Sequence, residues 1–180
     1  MKKIIVFLIM FCFLFTGCDN VMNTPTKRVE EFLNQYQKMD DKVLMQLDEI
    51  LMEDTSLTEE QKVAYKEIMK NQYKNLVYTI KEETVDGDNA TVKVEIEVYD
   101  YNKAILSSDN YLITNQQEFL NEDGTINNES FMDYKIKQMK DTNEKVKYTL
   151  ELTLTKEDDK WKMDDISEID RQKIHGIYNY

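Results

Sequence analysis

The chain has 180 residues, of which 32% are charged and 41% hydrophobic, and its formal net charge is −12 at neutral pH. That length suits one domain with a proper core and is too short to expect two. The acid excess repels phosphate backbones and anionic headgroups, which argues against nucleic acid and against flat adsorption on a membrane, while cationic peptides, metal ions and neutral ligands stay compatible.

Lys2 and Lys3 precede an apolar run from Ile4 to Phe15, then Thr16, Gly17 and Cys18, after which Asp19 and Asn20 turn the chain polar. The run falls well short of the roughly 20 residues a spanning helix needs, so it reads as an export signal. The small pair Thr16-Gly17 before the cysteine resembles a lipobox, with Phe15 where an aliphatic residue usually stands. The expectation is cleavage between Gly17 and Cys18, leaving residues 1–17 as signal peptide. A diacylglyceryl group on the Cys18 thiol, a tether over 18–23, and a protein held by N-terminal lipid on the outer face of the cytoplasmic membrane complete this reading. Two acyl chains meet the requirement for stable anchoring, at roughly 0.8 kcal/mol per buried methylene. Cleavage removes two lysines and no acid, so 21 basic and 35 acidic residues remain, a net −14. Cys12 leaves with the signal, so neither a disulfide nor a cysteine metal site is expected.

A single domain is expected over 24–180. Thr24-Pro25 starts a helix, with Val29, Phe32, Leu33 and Tyr36 as its apolar stripe and an end near Met39. A second helix is predicted over Asp41–Met52. The third opens on a capping box, Thr58 with Gln61, and carries Val63, Tyr65, Ile68, Met69, Tyr73 and Leu76. The period then changes to two. Residues 76–83, a turn at Asp86 to Asn89, and Val92, Val94, Ile96 and Val98 alternating with charged neighbours predict a hairpin with one wet face. A second hairpin follows from Val146, Tyr148, Leu150, Leu152 and Leu154, a turn at Lys156 to Lys160, and a return strand with Trp161 and Met163. Between them, an insert from about 105 to 144 reads as helix, turn, helix, with Tyr111, Leu112, Phe119 and Leu120 on one arm and Phe131, Met132, Ile136 and Met139 on the other. Residues 169–174 predict a short closing helix ended by Gly176. The fold class expected is α+β, with N-terminal helices on an antiparallel sheet.

Thr24-Pro25 followed by Val29, Phe32-Leu33 and Asp40, together with the closing Asp159-Lys160-Trp161-Lys162-Met163-Asp164-Asp165-Ile166, resembles small bacterial lipoproteins of the nuclear transport factor 2-like, or cystatin-like, superfamily. The resemblance covers most of residues 24–169. It implies a curved sheet forming a cone, with Trp161 packed into it, and a domain type whose function is mostly unknown. Enzymes of that fold, such as ketosteroid isomerase and scytalone dehydratase, place acid and base groups inside the cone. Here the inward positions are aliphatic, and only Tyr148 offers a polar atom.

His175 is the only histidine, which leaves no partner for a histidine metal cluster. The insert turn, with Asn121, Asp123, Gly124, Thr125, Ile126 and Asn127, resembles the middle of an EF-hand loop, but Phe119 and Ser130 stand where its first and last acidic ligands belong, with Glu129 one residue off the last. It reads first as an ordinary Asp-Gly turn and second as a weak calcium candidate. Tyr99, Tyr101 and Tyr111 are candidates for an interaction surface, the first two on the face of Lys93, Glu95 and Glu97 if the strand continues. No cofactor and no catalytic set are expected. The reading is a membrane-tethered, non-enzymatic module for a protein, peptide or cell-wall partner. The alternative is a small-molecule binder or a hydro-lyase or isomerase-like enzyme with its pocket at the cone mouth.

Overall fold

The computed structural model describes residues 23–180; the signal, the lipobox and Cys18 lie outside the described residues. Three helices come first: α1 (Pro25–Gln37), α2 (Asp41–Glu53) and α3 (Glu59–Lys74). They are followed by β1 (Val77–Asp86) and β2 (Asn89–Tyr99). The insert is α4 (Tyr101–Thr114), a 3-10 turn at Gln116–Phe119 and α5 (Asn128–Asp141). The chain closes with β3 (Lys145–Glu157), β4 (Lys160–Met163) and α6 (Glu168–His175). The four strands form one antiparallel sheet in the order β1-β2-β3-β4.

Each helix starts where its capping chemistry dictates. The Thr24 hydroxyl accepts the Lys27 N–H (3.1 Å), with Pro25 supplying the preset φ of a first helical residue. At α3 the capping box is complete, the Gln61 N–H donating to Thr58 Oγ1 and the Thr58 N–H to Gln61 Oε1. The Gln61 amide also donates to the Glu129 carbonyl and to Asp133, which ties α3 to α5. Gln61 and Gln72 are therefore buried at positions that read as polar surface, whereas Val63, expected in the buried stripe, is 64% exposed.

The inner sheet face carries the predicted alternation. Val92, Val94, Ile96 and Val98 pair with Leu152, Leu150, Tyr148 and Val146 in register, and the two strands' aliphatic side chains at 92–98 and 150–154 are almost wholly buried. α1 lies across β1, β2 and β4, and α6 covers β2 and β3 beside α3. Fully burying each such side chain contributes about 1.5–3 kcal/mol, so this face is the main source of stability. The outer face is a lattice of ion pairs, among them Lys81–Glu95, Lys93–Glu151, Lys145–Glu97 and Lys147–Glu95.

A β-bulge breaks the alternation in β1, where the register shifts between Ile80 and Glu82. Lys81 and Glu82 both serve the charged face, so Glu83 turns inward opposite Val92 and accepts the Thr26 N–H (2.9 Å). A carboxylate is thereby set against the positive end of the α1 dipole.

Two expected boundaries move. β2 ends at Tyr99 because Asp100 caps a helix, its carboxylate accepting the Lys103 N–H, so the insert begins at Tyr101 instead of near Ile105. Tyr101 consequently leaves the charged face and is only 2% exposed. At the other end, the buried Gln72 amide pairs with both the N–H and the carbonyl of Tyr99, and the carbonyl of Gly176 accepts the Asn102 N–H. Gly176 caps α6 at φ +71°, and a Cβ there would stand 2.1 Å from the Tyr99 carbonyl and 2.3 Å from the Gln72 amide.

Gly176→Ala is expected to destabilise the protein by about 2–4 kcal/mol, since it combines a left-handed φ with a collision at backbone. Gly87→Ala, at φ +60° in open space, is expected to cost only about 1–2 kcal/mol. Urea unfolding of both variants checks this; equal losses would show that the Gly176 contact is not the constraint.

Candidate functional site

The insert has its own small aromatic core. Tyr111 stacks on Tyr134 with ring centroids 4.9 Å apart, Phe119 meets both Tyr134 and Phe131 edge-on, and the Lys135 ammonium sits 4.9 Å above Phe131. The Tyr111 hydroxyl donates to Glu118. The three candidate tyrosines therefore form no common surface: Tyr111 packs within the insert, Tyr101 is buried with its hydroxyl donating to the Ile68 carbonyl, and Tyr99 is half-buried beneath Lys145. Burial pushes the Tyr101 phenol up to about 12.

Two open grooves flank α5. One, of about 480 Å³, runs between α4 and α5 and is lined by Asp100, Lys103, Ser107, Gln138, Asp141 and Glu144. The other, about 370 Å³, lies between α3 and α5, with Ile68 and Tyr101 against Glu67, Asn71 and Lys140. Leu106 and Ile113, seven residues apart on α4, and Leu120 beyond it are 42, 77 and 41% exposed. The sequence pattern points to the tyrosines here; it places Leu120 on the first arm of the insert and gives Leu106 and Ile113 no role.

The insert turn satisfies its own oxygens. Asp123 accepts both the N–H and the hydroxyl of Thr125, Asn121 donates through its amide to the Thr125 hydroxyl, and Leu120 bridges Ile126. The bonds from Thr125 hold the Asp123 carboxyl below its ordinary value. Glu129 stands in the first turn of α5, beyond the Asn127 cap. Among the described residues, no group of three or more histidine, cysteine, aspartate or glutamate side chains is arranged to hold a metal ion.

Tyr148, the one polar atom expected on the inner face, is closed over by the residues after α6. Its hydroxyl donates to the Tyr178 carbonyl, the Tyr178 and Tyr180 rings meet it edge-on, and the Tyr180 hydroxyl donates to the buried Asp100. Burial raises the Tyr148 phenol, and the nearby Asp100 charge raises it further.

His175 faces inward at the end of α6, with Nε2 3.0 Å from the Tyr73 hydroxyl. An aromatic series from Phe32 through Tyr36 and Tyr73 leads to it, each ring within 6 Å of the next. Burial first, and the Arg171 charge second, hold its pKa down to about 4. An unfolded imidazole titrates near 6.5, so between these values the unfolded chain binds a proton that the folded one refuses. Stability present above about pH 6.5 is thus lost as pH falls towards 4, by about 2–3 kcal/mol for this group. Because His175 is the only histidine, its ring protons are expected to show no titration by NMR down to about pH 5, and His175→Gln to flatten the decline in stability between pH 6.5 and 5. A midpoint near 6.5 would refute its burial as the neutral form.

Among the described residues, no helix is long and apolar enough to cross a membrane. Compared with family models, with curated proteins and with solved structures, the chain finds no match in any of the three.

Proposed function

We propose that this chain is a lipoprotein anchored through Cys18 to the outer face of the cytoplasmic membrane, and that its nuclear transport factor 2-like, or cystatin-like, domain is a non-enzymatic module for a protein, peptide or cell-wall partner. The fold reading is supported by the order of three helices, an antiparallel meander and a partly buried Trp161 on the closing strand.

The observation that carries the functional reading is the polarity of the domain. Asn23 is fastened to the β3–β4 turn, its side chain accepting from Arg28 and the Trp161 N–H and donating to the Asp159 carbonyl. It lies five residues beyond Cys18 in the sequence, which limits the reach from the anchor to about 18 Å. The insert joins the sheet at its other end, and the eleven residues of β2 place roughly 33 Å between them. A lipid anchor at Cys18 would therefore present the insert outward, with its grooves and exposed aliphatics. Residues 101–144 hold eight acidic and four basic side chains, a net −4, which suits a cationic, partly apolar partner.

The enzyme reading has less support. Tyr148 is already engaged by the chain itself, and the aliphatic inner face packs on the helices.

Cys18→Ser is expected to move the protein from the membrane to the soluble fraction, and mass spectrometry of the native protein to find a lipidated Cys18; an unmodified thiol would withdraw the anchor. For the module, photo-crosslinkers at Ile113 and Leu120 are expected to capture the same discrete partner in intact cells, and one at Thr153 on the charged sheet face to capture none. Equal labelling from all three positions would count against an insert-borne interface.

A further inference from the structure

A crevice of about 160 Å³ lies on the flank of the domain between α1, α2 and the segment linking β4 to α6. Gln35, Lys42, Gln46, Asp164, Asp165 and Arg171 line it, with Phe32, Met163 and Ile166 as its apolar part. Tyr36, Val43, Gln46 and Arg171 also line a narrower inner space of about 10 Å³ that ends on Tyr73 and His175. The two adjoin across these four residues, the narrower with room for about one water and the wider for a group of a few heavy atoms.

One of the polar groups of this crevice is buried without an acceptor. Arg171 Nε is buried and has no hydrogen-bond partner among the described residues; it makes a long ion pair, 3.6 Å, with Glu168, whose side chain is 70% exposed. Among the described residues Lys42 makes no ion pair. This happens in a chain with 35 acidic residues, where carboxylate partners are abundant, and to one of only two arginines, Arg28 and Arg171. A buried guanidinium donor left open is destabilising, and the planar fork of arginine is matched by an oxyanion. Beneath it lie an imidazole and phenols, and the acids around it, Glu168, Asp164 and Asp165, leave this Nε–H without an acceptor.

We propose that this recess is a carboxylate-binding site, in which the Arg171 guanidinium receives one carboxylate, assisted by the Lys42 ammonium and the Gln35 and Gln46 amides. The source is either a small organic acid or an acidic side chain of a partner peptide; the chemistry recognised is the same. Asp164 and Asp165 share the lining, and Asp164 is held by the Thr155 hydroxyl at 3.0 Å. Their negative charge opposes a second charge on the ligand, which selects a monovalent carboxylate over a phosphate dianion. The site lies away from the insert and stands independently of the insert-borne interface.

The single histidine provides the reporter, since His175 and Arg171 line the same small space beside the crevice. In the full chain at pH 7 and constant ionic strength, acetate is expected to shift the His175 ring signals with a saturating curve, and inorganic phosphate to bind at least tenfold more weakly. Chloride alone is expected to produce no saturating shift. Arg171→Lys keeps the charge but loses the fork, and should weaken acetate binding about tenfold; Arg171→Gln should abolish it, while Lys137→Gln on α5 leaves it unchanged. A blocked Gly-Asp-Gly peptide distinguishes the source: binding more than tenfold tighter than acetate, and in competition with it, assigns the site to a partner's side chain, and equal or weaker binding assigns it to a small acid. Linear shifts with every anion, or tighter binding of phosphate than of acetate, would overturn the proposal on the unsubstituted protein alone, whether or not the variants fold.

Discussion

The burial of one aliphatic sheet face governs nearly everything else in this molecule. β2 and β3 hold that face in strict register over their whole length, but a two-stranded ribbon cannot cover it. The cover comes from opposite ends of the chain: α1 at the beginning and α6 at the end, with α3 between them. Neither hairpin nor helix has a stable partner until these distant segments meet, so the domain stands or falls as a unit. Because aliphatic side chains meet aliphatic side chains there, the interior is given over to cohesion, and polar chemistry is displaced to the flank and the insert.

Polar groups nonetheless decide how the layers are joined. Gln61 links α3 to α5, Gln72 links α3 to the end of β2, and Asn23 links the start of α1 to the β3–β4 turn. Each amide satisfies backbone groups that a packed interface would otherwise leave open. These links were the least legible part of the sequence. A glutamine within a helix pattern reads as surface, which is why Val63 took a place in the predicted stripe that Gln61, Gln72 and Ile68 share in the structure. The capping residues and the alternating strands were legible because their signals are local. Asp100 was an exception: its cap three residues before Lys103 was masked by the strand pattern running into it, and Tyr101 was assigned to the wrong face. Arg171 and Lys42, far apart in sequence, gave no local sign of a shared recess.

The strong negative charge of the chain is unevenly distributed. On the outer sheet face lysines and glutamates alternate across neighbouring strands and nearly cancel. Exposed pairs of this kind add about 0–1 kcal/mol each, so their effect is less on stability than on keeping a broad sheet surface hydrated and without a net field. The excess acid is left to the turns and helices, including the insert.

The bulge at Lys81 makes β1 tolerant in a particular way. Replacing that lysine by another residue would alter one exposed ion pair. Deleting it would close the bulge and leave a regular strand, because Ile80, Glu82 and Glu83 would still stand opposite Val94, Lys93 and Val92. Glu83 would keep its place at the start of α1, and Glu82 its place on the charged face. Related sequences should therefore vary here in length as well as in residue, the strand shedding a local kink while each remaining side chain keeps its face.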